Sequence, residues 1–265
     1  MATGAAPALH DGGQAHRIIR SVIVGASMAI ALGAIFIAFR TVDSLVAGTD
    51  LRTYQDAARS WTTGSGFYHA RQLAGPYDIA GASAIYSGDI LYPPVALLLF
   101  MPFLILPAPL WWIVPAAVLA WAIYRLRPAF WAWPMMAAAV VFPPSLQAIA
   151  DGNPVIWVVA ALALATRWPW VSVFVLFKPS LFPFAFVGCR HRSWWLALGA
   201  CAAISALLLP MWPDWIAAVL NARGQFSGPL YSLRDVPLLA IPLVAWAGRH
   251  RELIEATRGC HCVHK

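Results

Sequence analysis

The sequence predicts an all-α integral membrane protein: a polytopic helical bundle of about eight transmembrane or re-entrant helices with one large extracytoplasmic loop. Of its 265 residues, 61% are hydrophobic and only 11% are charged, whereas a soluble domain carries about a quarter charged residues. The mean hydropathy is +0.69, so lipid is the expected solvent of its surface. Fourteen tryptophans and seven tyrosines fit the aromatic belts at membrane–water interfaces.

The net charge of +7 comes almost entirely from arginine, because the chain holds two lysines, Lys178 and Lys265. These arginines are scattered through short segments between apolar runs. Such a pattern is typical of membrane topology signals and of contacts with anionic lipid headgroups. We therefore expect membrane lipids as partners, no nucleic acid, and a multi-pass protein of the inner (plasma) membrane.

The first apolar run covers residues 21–39 and carries no charge. Nineteen such residues are enough to cross the hydrocarbon core as a helix. The run is too long for a signal peptide and lacks a small-residue cleavage site, which favours an uncleaved helix. Arg17 and Arg20 precede it, so residues 1–20 are predicted to be a cytoplasmic N-terminal segment.

Residues 40–90 interrupt the apolar pattern with five aspartates, four arginines and several glycines. A connection of this length is usually functional or disordered, and its many aromatic residues argue against disorder. We expect a folded extracytoplasmic loop with one or two short helices lying on the membrane.

Seven further apolar runs follow, and prolines punctuate several of them. Residues 21–247 are thus predicted to form a single transmembrane domain, followed by a cytoplasmic tail, 248–265. Counting crossings from a cytoplasmic N-terminus puts Arg125 and Arg127 outside, and one re-entrant run would reverse this. The runs are 91–107, 108–124, 129–146, 154–166, 168–187, 194–210 and 236–247.

The four cysteines indicate no redox or metal chemistry. Cys189 and Cys201 lie in or beside apolar runs, as small core residues do. Cys260 and Cys262 stand beside two histidines in the tail, but their spacing matches no common zinc site. We expect no metal and no cofactor.

Lys178 lies within the apolar run 168–187, directly before Pro179. An ammonium group at membrane depth costs several kcal/mol unless it snorkels, is paired or faces water. Lys178 is about ten residues from either end of its run, which favours a cavity over snorkelling. Its expected partner is either a ligand phosphate or an aspartate that folding brings close, such as Asp151.

Three other features carry chemistry only in combination. Asp50 follows the first helix and is a base, an ion ligand or an ordinary loop aspartate. Tyr92 precedes two prolines at the start of an apolar run, which is also a favourable helix start. Residues 151–154 read Asp-Gly-Asn-Pro, which are strong turn formers.

Taken in order, these residues resemble glycosyltransferase family 87, a family of GT-C-fold mannosyltransferases that use polyprenol-phosphate-mannose. The resemblance covers about residues 18–200. Where the family usually has Gly-Gln-x-Asn, this chain has Gly-Asn-Pro. The matching residues are Asp50, Tyr54, Gly66, Tyr68, Tyr92-Pro93-Pro94, Gly152-Asn153 and Lys178-Pro179.

The resemblance implies a hexosyltransferase that uses a polyprenyl-phosphate sugar donor, with mannose as the expected sugar. A glycan or glycolipid hydroxyl would be the acceptor, on the extracytoplasmic face, and the anomeric centre would be inverted. Asp50 would be the catalytic base, and a cation would hold the departing phosphate. The predicted substrate-binding residues are Lys178, Arg52, Tyr54, Arg59, Tyr68, Tyr92, Gly152 and Asn153.

Two other classes of function stay open at this point. Prolines and a lysine inside apolar runs are also features of a transporter or lipid flippase, although the sequence shows no internal repeat. The chain is also short for family 87, which is compatible with a truncated, non-catalytic homologue.

Overall fold

The computed structural model describes residues 11–41, 47–78, 89–223 and 234–249, with side chains from residue 14 onward, and this part of the chain is all-α. Its α-helices are α1 (Asp11–Thr41), α2 (Thr49–Thr62), α3 (Ala70–Leu73), α4 (Leu97–Phe100), α5 (Leu110–Leu126), α6 (Ala132–Val141), α7 (Pro143–Asp151), α8 (Val155–Ala165), α9 (Arg192–Leu207), α10 (Trp212–Asn221) and α11 (Val236–Ala247). Shorter 3-10 helices cover Pro94–Ala96, Met101–Leu104, Pro169–Phe177, Pro179–Gly188 and Leu209–Met211.

One helix within the described residues is long and apolar enough to cross a membrane, Gln14–Thr41 in α1. Two bent pairs pass the same test if each counts as one span: α6 with α7, at 65°, and α9 with the segment Leu209–Asn221, at 73°. The other apolar helices are shorter. The eight predicted crossings therefore stay a prediction.

Two predicted runs are not single helices. The run 91–107 contains two 3-10 helices on either side of the one-turn helix α4. The run 168–187 divides at Lys178 into two 3-10 helices. Hydropathy identified both runs as apolar. Prolines remove backbone donors and so oppose a continuous α-helix, and these runs contain them at positions 93, 94, 102, 169, 179 and 183. By contrast, α11 has the bounds of its predicted run, 236–247.

The segments Pro169–Phe177 and Pro179–Gly188 form a unit that we call the 3-10 hairpin, with Lys178 at its tip. The Ser172 hydroxyl donates to the Ala185 carbonyl at 2.7 Å, which joins the two arms. At the open end, a Cβ on Gly188 would lie 2.1 Å from the Pro169 carbonyl oxygen. The chain thus leaves this apolar region at the end where it entered.

The helices run between two ends of the bundle. At the first, which we call the basic end, Arg20 in α1 lies over the Phe130 ring, and Ala129 bonds to Gly248 after α11. Trp121 in α5 stacks there on Trp168, which precedes the hairpin. Because this end holds the hairpin's open end, Lys178 points toward the opposite end.

The second end, which we call the site end, gathers the start of α2, the α7–α8 turn and the start of α11. Gly48 donates its backbone N–H to the Ala150 carbonyl at 2.8 Å. Phe39, at the end of α1, meets Trp112 in α5 edge to face. Helices α1, α5, α8 and α11 therefore each run from one end to the other.

The predicted loop 40–90 contains two short helices, α2 and α3, in its described part. Buried aromatic residues anchor it, and a two-residue strand, β1 (Tyr77–Asp78), pairs in parallel with β2 (Ala222–Arg223) after α10. The Asn221 side chain donates to the Gln72 carbonyl at 3.0 Å. Residues 42–46 and 79–88 of this loop, and tail residues 250–265 with Cys260 and Cys262, lie outside the described part.

Gly188→Ala should destabilise the protein, because the new methyl group would clash with the Pro169 carbonyl. Overpacking of this kind costs about 1–3 kcal/mol. We expect a lower melting temperature in detergent. Gly199→Ala in α9 is the control, since its Cβ meets nothing within 4 Å and alanine favours a helix by about 0.5–1 kcal/mol. Equal stability of the two variants would contradict the hairpin.

Candidate functional site

Four of the residues selected from the sequence come together at the site end: Asp50, Tyr92, Asn153 and Lys178. They are brought there by the first turn of α2, the segment before Pro94, the α7–α8 turn and the hairpin tip. Asp235, which was not selected from the sequence, joins them from the residue before α11. The result is a small polar group within a largely apolar protein.

Lys178 is the buried cation of this group. Its Nζ lies 2.7 Å from Asp235 Oδ2, and the two side chains are 3% and 13% exposed. The same nitrogen donates to Asn153 Oδ1 at 3.3 Å and lies 5.8 Å from the centre of the Tyr92 ring. An aspartate such as Asp151 was expected from the sequence as the partner of Lys178, but the aspartate that pairs with it is Asp235. The Asp151 carboxylate instead accepts a hydrogen bond from Gln147.

Asn153 joins Lys178 to Asp50. Its Nδ2 donates to Asp50 Oδ2 at 2.7 Å, while its Oδ1 also accepts the backbone N–H of Val155 at 3.0 Å. Burial raises the pKa of the Asp50 carboxyl above its usual range, and the charge of Asp235 acts in the same direction. The Asn153 hydrogen bond and the Lys178 charge act to lower this pKa. Asp50 thus combines an elevated pKa with a fixed orientation.

The α7–α8 turn holds Asn153 in place. Gly152 has φ of +72°, a left-handed conformation that favours glycine at a helix C-terminus, and Asn153 donates its N–H to the Ala148 carbonyl at 2.8 Å. The indole Nε1 of Trp111 donates to the Gly152 carbonyl at 2.7 Å. A Cβ on Gly152 would lie 2.9 Å from the Trp112 ring, so the turn packs directly on α5.

Three predicted tyrosines form the wall beneath the polar group. Tyr54 stacks on Phe100 with ring centres 4.5 Å apart and meets Tyr92 edge to face at 5.3 Å. The Tyr68 hydroxyl donates to the Tyr92 carbonyl at 2.8 Å, and burial, followed by the charge of Asp214, raises the Tyr68 pKa. All three tyrosines are buried. Tyr54 and Tyr68 thereby hold Tyr92, and with it the ring beside Lys178.

The two predicted arginines are not part of the group. Arg59 pairs with Asp56 at 2.8 Å on the exposed surface of α2. Nine residues, about two and a half turns of α-helix, place Arg59 on the opposite face of α2 from Asp50 and about 13 Å further along its axis. Arg52 is exposed and donates to the Ala47 carbonyl at 2.7 Å. Gly66 is exposed with φ of +89°, and so shapes the loop before Tyr68.

A large apolar groove begins beside the polar group. Its volume is about 840 Å³, and Tyr92, Pro154 and Phe177 line it close to Asn153 and Lys178. It extends to Leu164 and Trp168, toward the basic end, between α5, α8, α9 and the hairpin. One end of this long apolar surface therefore lies next to the polar group, although Lys178, Asn153 and Asp50 themselves do not line it.

Nothing in the described residues forms a metal centre, since no three histidine, cysteine or acidic side chains lie close enough together to hold an ion. Comparisons of the chain with protein-family models, with curated proteins and with solved structures found no match.

Asp235 was not selected as a site residue from the sequence, because it lies at the end of a polar stretch and aspartates are common in such stretches. One signal could have identified it: it directly precedes the apolar run 236–247. An acidic residue at that boundary is well placed to meet a buried lysine on another run.

Lys178→Met should destabilise the protein by about 3–5 kcal/mol, because it leaves the Asp235 carboxylate largely buried without its cation. Adding Asp235→Leu should restore most of the loss, as measured by melting temperature in one detergent. Arg59→Met removes a pair whose side chains are 63% and 67% exposed and should change stability by less than about 1 kcal/mol. A double variant no more stable than Lys178→Met would show that the pair is not the cause.

Proposed function

We propose that the protein is a multi-pass membrane glycosyltransferase of GT-C type, similar to family 87. It would transfer a hexose, with mannose as the expected sugar, from a polyprenyl-phosphate donor to a hydroxyl of a glycan or glycolipid. The observation that carries the proposal is the line of Asp50, Asn153 and Lys178 at one end of an apolar groove. A carboxylate, a cation and an apolar channel are the groups that this transfer needs.

The proposed reaction uses Asp50 as general base. In the described residues its Oδ2 accepts the Asn153 hydrogen bond, while Oδ1 accepts none and is available to an acceptor hydroxyl. Oδ1 removes the hydroxyl proton as that oxygen forms a bond to the anomeric carbon from the face opposite the phosphate. The bond from the anomeric carbon to the phosphate oxygen breaks, and its electron pair leaves with the phosphate. The raised pKa makes Asp50 a stronger base than an exposed aspartate.

Lys178 would offset the negative charge that develops on the departing phosphate. A fixed cation in a water-poor site stabilises such charge more strongly than one in water. The groove would hold the apolar part of the donor, because its lining is almost wholly aliphatic and aromatic. A lipid chain that lay in the groove would have its phosphate near Tyr92 and Lys178.

The charge distribution supports an extracytoplasmic position for the site. At the basic end, five exposed arginines form no ion pair within the described residues. They lie in short connections between apolar segments or in the helix ends that border them, where the positive-inside rule applies most directly. At the site end, Arg59 and Arg71 pair with Asp56 and Asp89, and two further arginines, Arg40 and Arg52, are exposed. Aspartates therefore offset part of the positive charge at this end. We assign the basic end to the cytoplasm of a cell with the protein in its inner membrane. The five arginines are Arg125, Arg127, Arg167, Arg190 and Arg192.

A lipid flippase is the second candidate, and a specific observation favours it. Two helix pairs are bent by 65° and 73°, and the buried Lys178 lies at a break between two 3-10 helices. Broken helices beside a buried charge are features of many transporters. A flippase would move the donor without consuming it, whereas a transferase forms a new glycosidic bond. A non-catalytic homologue would do neither.

Asp50→Asn should lower sugar transfer by at least about 100-fold, since it keeps the side chain's size and removes its basicity. Transfer of labelled mannose from a polyprenyl phosphate to membrane glycolipid acceptors measures this. Asp56→Asn is the control, because Asp56 is exposed on the same helix and paired with Arg59, and its activity should stay near wild type. Equal transfer by wild type and Asp50→Asn would exclude Asp50 as the base. Lipid movement in vesicles without transfer would favour the flippase.

Single cysteines should report the orientation of the two ends. In a variant with its native cysteines replaced, Thr63→Cys in the predicted extracytoplasmic loop 40–90 should react with a membrane-impermeant maleimide on intact cells. Ser193→Cys at the basic end should react only after lysis. Both positions are exposed. Labelling of Ser193→Cys alone on intact cells would reverse the proposed orientation.

A further inference from the structure

We propose that Asn153 is the positioning residue of the site: a single amide that holds the base, Asp50, and the buried cation, Lys178, in one hydrogen-bonded line ending at Asp235. This inference rests on the proposed function, because it assigns a role to Asn153 within that reaction. It also specifies a physical property of Asp50 that can be measured without any substrate.

The geometry fixes which way the amide faces. Its oxygen lies 3.0 Å from the Val155 N–H and 3.3 Å from Lys178 Nζ, and both of these groups are donors. Its nitrogen lies 2.7 Å from a carboxylate oxygen of Asp50, which is an acceptor. Turning the amide over would place two donors together and two acceptors together. One orientation therefore satisfies all three contacts.

The same geometry sets what Asn153 does for the base. By donating to Asp50 Oδ2, the amide favours one rotamer of the carboxylate and leaves Oδ1 for the acceptor hydroxyl of the proposed reaction. A hydrogen bond to a charged group is stronger than one between neutral groups, so it also favours the ionised form that a base requires. Asn153 further keeps the two unlike charges apart, because its amide stands between the Asp50 carboxylate and the Lys178 ammonium.

Several charged groups from different elements act on Asp50. Lys178 on the hairpin stabilises its ionised form, while Asp235 before α11 opposes it. Asp151 at the end of α7 is a further carboxyl group close enough to interact with Asp50. Arg52 on its own helix is turned toward Ala47 and Thr49. Asn153 is the neutral side chain among the groups that determine the Asp50 pKa, so replacing it changes hydrogen bonding without necessarily changing charge.

The test measures the protonation of Asp50 directly. A hydrophobic carbodiimide reacts with protonated carboxyl groups, and peptide mass spectrometry after labelling across a pH series gives the pH of half-labelling at Asp50. Asn153→Leu removes the hydrogen bond and should move that pH upward. Asn153→Asp keeps the shape but places a second carboxylate at hydrogen-bond distance, so it should also move the pH upward. Asp235→Asn removes an opposing negative charge and should move it downward.

Asp56→Asn on the exposed surface of α2 is the control and should leave the half-labelling pH unchanged. In the transfer assay, Asn153→Leu should lower kcat/KM by at least about tenfold, and the acidic limb of its pH profile should move in the same direction as the labelling. A residue that only stabilised the turn would lower the melting temperature without moving either pH value.

The inference is overturned if both Asn153 variants label at Asp50 with the wild-type pH dependence. Asn153→Asp keeps this outcome decisive should Asn153→Leu fail to fold, because it preserves the shape of the side chain. If the labelling shifts as expected but Asp50→Asn transfers sugar normally, the proposed reaction fails and the positioning role of Asn153 remains. If Asp50 is needed for transfer but its labelling does not shift, the positioning role alone fails.

Discussion

The site end depends on the need of one buried ammonium for a countercharge. Lys178 is 3% exposed and its Nζ is 2.7 Å from Asp235, and an isolated charge in such surroundings is strongly disfavoured. Meeting this need requires the hairpin tip and the start of α11 to be neighbours. Asn153 then brings the α7–α8 turn and α2 to the same place. Four distant segments of the chain share one electrostatic constraint.

Local chemistry explains what the sequence could predict of the fold. The Asp-Gly-Asn-Pro segment was expected to be a turn, and it is one, with Gly152 in a left-handed conformation. The bounds of α11 followed from hydropathy and from its flanking polar residues. In both cases the determining interactions lie within a few residues of each other. The same holds for the short helices in the loop 40–90.

Features that depend on distant contacts were not visible in the sequence. The run 168–187 is apolar whether the chain crosses the bundle or turns back, so its composition alone could not reveal the hairpin. The close approach of Gly188 to Pro169 joins the two ends of that run and settles its path. For the site, residue chemistry and family resemblance selected Asp50, Asn153 and Lys178. Asp235 lies too far along the chain for any spacing rule to connect it to Lys178.

The distance between Lys178 and Asp235 along the chain also has a consequence for how the protein is made. Lys178 leaves the ribosome well before its countercharge, and at about 5–20 residues per second the delay is on the order of several seconds. During that time the hairpin carries an ammonium without its Asp235 carboxylate, which disfavours its settling into an apolar environment. We therefore expect the hairpin tip to reach its buried position only after the start of α11 has been synthesised. A chain that ends before Asp235 would keep Lys178 without this carboxylate, and we expect its bundle to be less stable than that of the longer chain.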